Sequence, residues 1–286
     1  EWYDIDGTYT HRIKHPQIAD YLGYLQMLYS EGLMDNDMPI NTADNSKEKF
    51  ASGNAIACAP LMFWDIPSMV NALSTSNPDC KIEFVTDLAP DADTQPHHYI
   101  MEGAKFVTCI SQNSKNPEHV INWLNILTEP DNFRRTYIGE EGVSYEIIDG
   151  EYHPIFEGDD ATNFNAYTNS DKLSGFSDPT LAFQMWQARA RKTPEMAEAY
   201  EAMNSRVDEY EALVSIEAYG KTSPQVQEYI TALNQAFSDS FLKAIVEGTD
   251  PDEAVAAMQA EWDANGGLEV EAAMQEFYEA NKDFAG

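Results

Sequence analysis

Apolar residues recur along much of this chain with the spacing of an α-helix. After Pro16, an apolar stripe repeats every three or four residues and predicts an amphipathic helix. Gly32 follows the stripe and predicts the left-handed residue that ends this helix. A second, shorter helix is predicted to end at Gly53, and the pattern is helical from residue 178 onward. The members of the first stripe are Ile18, Tyr21, Leu22, Leu25, Leu28 and Tyr29.

Five further helix starts are predicted where a capping residue stands directly before proline. The side-chain oxygen of the capping residue accepts a bond from a free amide, while proline at the first helical position loses nothing, because its donor would be unpaired there. The five sites are Asn116-Pro117, Asp178-Pro179, Thr193-Pro194, Ser223-Pro224 and Asp250-Pro251.

Strand signals are few and short. Three compact apolar runs, Ala55–Ala59, Ile82–Val85 and Lys105–Ile110, have the composition of buried strands in a covered sheet. A hairpin is predicted from Tyr145–Ile148 and Tyr152–Ile155, which flank a turn containing Asp-Gly. The sequence therefore predicts a helix-rich α/β fold with a small covered sheet.

Composition narrows the possible partners. The 286 residues carry 49 acidic and 17 basic side chains, a net charge of −32, and the basic residues form no cluster. A phosphate backbone and an anionic membrane would both be repelled, so nucleic acid is not an expected partner. Cys58, Cys80 and Cys109 have the spacing of neither a disulfide framework nor a zinc site.

Catalytic and cofactor motifs are weak. Lys221 resembles the lysine of a phosphate-binding loop, but Ser215 stands where the first glycine is required. Glu140 and Glu141 are adjacent, so in extended chain they point to opposite faces and do not form a glycosidase pair. His97-His98 and two preceding aspartates lack the spacing of metal ligands. We therefore expect no catalytic residue, no metal and no cofactor.

The stretch FASGNAIACAPLMFWD, residues 50–65, is the most informative part of the chain. It leads from a predicted helix through a predicted strand to Phe63, Trp64 and Asp65. Small-ligand sites of α/β folds lie just past the ends of strands, so this aromatic loop is a candidate binding site. The alternative for Trp64 is a buried anchor of the turn.

Three stretches resemble one family in the family's own order. These are PQIADYLGYLQMLYSEGLMD, AKFVTCISQNSKNPEHVINWLNIL and YIGEEGVSYEIIDGEY, which together cover roughly residues 10 to 150. Together with the aromatic loop they resemble the extracellular solute-binding proteins of ABC importers. The likeness is to family 1, of the maltose- or oligosaccharide-binding type, and especially to the lipoprotein receptors of Firmicutes.

This resemblance implies the C-terminal half of a two-lobed periplasmic-binding-protein fold of type II. Family members begin with a further lobe and an export signal, so we expect a missing N-terminal lobe as a partner. The implied segments are 1–100, a second-lobe α/β segment with the aromatic loop; 101–177, a hinge-return strand, helix and hairpin; and 178–286, a helical region. The implied location is extracellular, with membrane anchoring through an N-terminal lipid absent from this chain.

The resemblance also implies a function. Such a receptor is not an enzyme; it binds a small solute, here a sugar or oligosaccharide, and delivers it to ABC permease subunits. Aromatic faces stack on sugar rings, so Trp64 is expected as the platform with Phe63 beside it. Asp65 and Glu141 are candidate hydroxyl acceptors, and Tyr145 is a second partner. Peptide or polyamine ligands, a glycan-processing enzyme domain and a helical interaction module remain alternatives.

Overall fold

The chain forms two compact units, each built from separated stretches of sequence. The computed structural model describes residues 1–58, 65–85, 97–101, 108–155, 187–188, 190–191, 193–205 and 211–284. The terminal unit contains residues 1–47, 89–102 and 210–286, whereas the central unit contains residues 48–88 and 103–209. Among the described residues, no helix combines the length and the apolar character needed to cross a bilayer.

Helices dominate the described residues, as the sequence predicts. The helices are α1 Ile18–Ser30, α2 Ala43–Ala51, α3 Ile66–Ser76, α4 Pro117–Thr128, α5 Pro130–Tyr137, α6 Pro194–Asn204, α7 Glu217–Gly220, α8 Pro224–Glu247, α9 Pro251–Trp262 and α10 Leu268–Asn281. The strands are β1 Trp2–Ile5, β2 Thr8–His11, β3 His97–Met101, β4 Tyr145–Ile148, β5 Glu151–Pro154 and β6 Glu211–Ser215. They pair as three two-stranded sheets, β1 with β2, β3 with β6 and β4 with β5.

The terminal unit is organised around α8. This helix packs against α1, α9 and α10, and α10 in turn packs against β2. The shared core contains Leu22, Val226, Trp262, Val270 and Met274, all essentially inaccessible to solvent. Burying each such side chain contributes about 1.5–3 kcal/mol, so this core holds the helices and the β1–β2 hairpin as one body.

Local capping chemistry sets the helix starts. The Thr193 and Ser223 hydroxyls accept bonds from amides three residues later, each at 3.3 Å. Asp250 Oδ1 accepts from two amides of the first turn of α9 at 3.1 Å. Asn116 precedes α4 but makes no side-chain cap bond. Four of the five predicted starts are confirmed as helix starts, and Asp178-Pro179 lies outside the described residues.

The predicted hairpin is confirmed. β4 and β5 pair antiparallel, with Tyr145 opposite Pro154. Asp149 (φ 53°) and Gly150 (φ 86°) both adopt positive φ, the geometry of a two-residue turn that matches the twist of the strands. This hairpin lies in the central unit.

The described parts of the three predicted buried strands are not strands. Residues 55–58, 82–85 and 108–110, the described parts of the three apolar runs, form no strand. A strand persists only where a neighbour satisfies its backbone groups, and these runs have no such partner in the described chain. The parallel pair that does form joins β3 to β6, with His97 opposite Glu211.

The functional segments 1–100, 101–177 and 178–286 remain a prediction. They are consecutive along the chain, whereas each spatial unit gathers stretches from different segments. The compact units are therefore a property of tertiary contacts, which the order of motifs along the chain does not specify.

Candidate functional site

Two predicted site residues, Glu141 and Tyr145, meet in a tight turn of the central unit. A parallel bridge joins them, and the Gly142 amide donates to the Tyr145 carbonyl at 2.7 Å. The Ser144 amide closes the turn by donating to the Glu140 carbonyl at 2.8 Å. Gly142 has a φ of +76°, which favours glycine at this position. The turn leaves the Glu141 side chain exposed to solvent.

The Tyr145 ring is packed inside the central unit. It is 2% exposed and contacts an apolar cluster that includes Phe133, Ile138 and Tyr152. The centroids of the Tyr145 and Tyr152 rings lie 5.3 Å apart. Burial raises the pKa of Tyr145 to about 12. Its ligand contact stays a prediction.

Asp65 lies at the start of α3, also in the central unit. It precedes Ile66, which packs in a buried cluster with Met196 and Ala199 of α6; Met69 of α3 is also buried. Its side chain is half-buried, and its backbone carbonyl accepts a bond from the Ser68 hydroxyl at 2.8 Å. Phe63 and Trp64 lie outside the described residues, so the aromatic loop itself stays a prediction.

Two basic side chains that the sequence reasoning missed stand beside this turn. Arg135 forms an ion pair with Glu140 at 2.8 Å. Burial lowers the pKa of Arg134, but hydrogen bonds to Tyr152 and Asp131 outweigh that effect and raise it. Both arginines occupy the last turn of α5, where cations complement the helix dipole, but the sequence pattern does not distinguish this ion pair from solvent exposure.

This arrangement offers polar groups of both signs next to aromatic rings. Carboxylates accept bonds from hydroxyl groups, and a guanidinium presents several donors in a planar fork. Within the described ranges, no cluster of three or more His, Cys, Asp or Glu side chains is placed to hold a metal ion. The carboxylates and guanidinium groups present can accept from and donate to the hydroxyl groups of a polar ligand.

Comparison with known proteins places the fold. No protein-family model matches the chain. Its sequence is 28% identical over 270 residues to an uncharacterized protein encoded in the butB 5′ region of Niallia circulans, a match covering 92% of this chain and 100% of that protein.

Two solved structures share the architecture over nearly the whole chain. The alginate-binding protein AlgQ2, determined without calcium ion, matches 98% of this chain with a TM-score of 0.60 and 18% identity. An HMO-binding, ABC-transporter-associated solute-binding protein from Bifidobacterium longum infantis matches 97% with a TM-score of 0.51 and 16% identity. The chain spans 58% and 56% of the lengths of these two proteins. The chain therefore has the helix-rich α/β fold of solute-binding proteins.

Proposed function

We propose that this chain is part of a receptor that binds a sugar or oligosaccharide outside the cell and delivers it to an ABC importer. The proposal depends most on two structural matches. An alginate-binding protein matches 98% of the chain, and an HMO-binding solute-binding protein matches 97%. The motifs within residues 10 to 150, which resemble family 1 receptors, support the same conclusion from the sequence.

The proposed site lies in the central unit. Trp64 supplies the stacking face for a sugar ring, and Phe63 flanks it. Asp65 and Glu141 accept bonds from sugar hydroxyls, and Tyr145 contributes its phenol. The exposed Glu141 carboxylate, held in its turn by backbone bonds, supports its assignment as a hydroxyl acceptor.

The proposal contains no catalytic step. The adjacent carboxylates Glu140 and Glu141 have different surroundings, because Glu140 is paired with Arg135. Retaining and inverting glycosidases instead place two carboxyl groups across one glycosidic bond. Binding without hydrolysis is therefore the simpler use of these groups.

A panel of oligosaccharides tests the proposal directly. The intact protein is melted with each neutral and uronate oligosaccharide, because a ligand that binds only the folded state raises the melting temperature with concentration. Every stabilising sugar is then incubated with the protein and analysed for cleavage products. We expect at least one concentration-dependent shift and no cleavage; cleavage would favour the glycan-processing enzyme, and a flat panel would contradict sugar binding.

The proposal extends to location and partners. It places the receptor on the outer face of the membrane through an N-terminal lipid, next to ABC permease subunits and joined to an N-terminal lobe. Protease treatment of intact cells measures the location, since an outward-facing receptor is degraded while cytoplasmic proteins survive. Survival of the receptor under those conditions would contradict the proposed location.

A further inference from the structure

A cavity of about 210 Å³ lies in the terminal unit between α8 and α9. We name it the α8–α9 pocket. Its buried walls are Ile13, Leu233, Phe237, Met258 and Trp262. An apolar cavity of about 150 Å³ in another protein stays dry and takes up benzene, so this pocket has room for a benzene ring with a short chain.

Contacts with residues outside the lining hold the Trp262 wall of the α8–α9 pocket in place. The Trp262 ring stacks on the His11 ring with a centroid distance of 4.3 Å, and its indole nitrogen donates to Glu271 at 3.0 Å. Small residues Ala232 and Ala236 lie one helical turn apart on α8 and also line the pocket. Because no large side chain projects from these two positions, the space between the helices stays open.

The mouth of the pocket is shaped by an irregular turn between α9 and α10. Residues Asp263–Gly267 form a kink between the two helices, in which Asn265 and Gly266 leave helical geometry and Gly266 has a φ of 101°. A Cβ on Gly266 would lie 2.6 Å from the Tyr229 ring, so the glycine lets that ring lie against the backbone. Asn265, within this kink, also lines the pocket.

The rim of the pocket is acidic. Glu228 on α8 and Glu261 on α9 are exposed and line it from the two helices. The carboxylates of Glu228 and Glu269 raise the pKa of the Tyr229 phenol, so the field at the rim is negative.

Basic groups do not neutralise this rim. None of the described residues that line the pocket is Lys, Arg or His. Lys14, next to the wall residue Ile13, donates to Asp263 at 2.6 Å and to Glu271 at 2.9 Å. Arg12 lies over the Phe237 ring at 5.0 Å and pairs with Glu1 at 3.8 Å.

We propose that the α8–α9 pocket binds a small organic cation whose apolar body fills the cavity and whose ammonium group lies between Glu228 and Glu261. The enclosed apolar wall selects the body, and the two carboxylates select the charge. The net charge of −32 adds long-range attraction for a cation and repels an anion of the same shape. This site lies entirely within the terminal unit and does not depend on the proposed sugar site.

A charge series of one shape tests the proposal by calorimetric titration of the chain at pH 7. The probes are phenethylammonium, neutral 2-phenylethanol and anionic 3-phenylpropionate. We expect phenethylammonium to bind more tightly than the alcohol and the anion not to bind. Equal affinity of the alcohol and the ammonium would overturn the role of the carboxylates, and no binding of any probe at millimolar concentration would overturn the site.

Matched variants locate the binding. Glu228→Gln with Glu261→Gln should weaken phenethylammonium binding about tenfold, since each exposed charge contributes about threefold. The control Glu247→Gln with Glu276→Gln removes two exposed carboxylates elsewhere on α8 and α10 and should leave the affinity unchanged. Ala232→Leu fills the mouth from an exposed, helix-compatible position and should abolish binding. Unchanged binding in Ala232→Leu, with its folding verified by circular dichroism, would exclude the pocket, as would equal losses in the two double variants.

Discussion

Buried His11 makes the stability of the terminal unit depend on pH. The residue is fully inaccessible to solvent and stacks on Trp262, and its Nδ1 accepts a bond from the Ile13 amide at 3.3 Å. Burial, assisted by the neighbouring Arg12 charge, lowers the pKa of His11 to about 3. Because Nδ1 is the acceptor, the unpartnered Nε2 carries the hydrogen of the neutral ring, and an added proton would have to go to Nδ1 and break the bond from the Ile13 amide.

The sign follows from the two pKa values. An unfolded histidine takes up its proton near pH 6.5, whereas the folded one does so near pH 3. The unfolded state therefore binds more protons between these limits. The contribution of His11 is fully present above pH 6.5 and is lost progressively as the pH falls toward 3. Each pH unit in that window costs about 1.4 kcal/mol, so a change from pH 6.5 to pH 5 removes about 2 kcal/mol.

Denaturant unfolding between pH 5 and pH 7, followed by tryptophan fluorescence, measures this effect. His11→Asn keeps an oxygen that can accept the Ile13 amide bond but removes the titrating ring. We expect the variant to be less stable at pH 7 and to lack the extra loss of about 2 kcal/mol that the wild type shows between pH 7 and pH 5. His119→Asn, on the exposed surface of α4, is the control and should retain the wild-type slope. Identical slopes for wild type and His11→Asn would refute the argument.

Three further predictions concern individual residues. Asp250→Ala should cost about 1–2 kcal/mol of unfolding free energy because it removes a cap with two bonds, whereas Asn116→Ala should cost only a few tenths; equal losses in urea titrations would contradict the cap assignment. Gly267→Ala should lower the unfolding free energy by about 1–3 kcal/mol because its Cβ would overlap the Trp262 indole. An unchanged urea midpoint would show that the Trp262 side chain can move aside at little cost. Tyr145→Ala should lower the unfolding free energy by about 3 kcal/mol or more, because the ring that it removes is only 2% exposed. Tyr145→Phe keeps the packing and should weaken sugar binding, because it removes the phenol that we propose touches the ligand. Unchanged affinity in Tyr145→Phe would remove its hydroxyl from the proposed site.

Local features of the fold were predictable from the sequence. The caps at Thr193, Ser223 and Asp250 depend on atoms within one turn of the chain, and the structure contains each of these bonds. The hairpin at Asp149-Gly150 is likewise decided by two residues that tolerate positive φ. Interactions between residues three or four positions apart can therefore be predicted from the sequence without knowing the tertiary fold.

Long-range features were not predictable in the same way. The run Ile82–Val85 has the composition of a strand but forms none, while His97–Met101 becomes one because Glu211–Ser215 lies beside it. Strand formation depends on a partner far along the chain, which composition does not reveal. The α8–α9 pocket was also not predicted, because its volume depends on which faces of the two helices pack against each other.

The candidate sugar site was predictable only in part. The spacing of Glu141 and Tyr145 did not reveal the backbone bridge that joins them or the depth at which Tyr145 is buried. Arg135 was missed because an arginine in the last turn of a helix has the same pattern whether it meets solvent or a carboxylate. The contributions of Phe63 and Trp64 remain predictions.

Titration calorimetry of the intact protein with the stabilising oligosaccharide, comparing wild type with Trp64→Ala, tests the central claim most directly. Trp123→Ala, at an exposed position on α4, is the matched control. We expect Trp64→Ala to weaken binding by about 1–3 kcal/mol, the value of burying a large apolar side chain, with little change in melting temperature. Trp123→Ala should bind as wild type does. Unchanged affinity in Trp64→Ala together with a collapsed melting temperature would show that Trp64 is a structural anchor and would contradict the proposed sugar site.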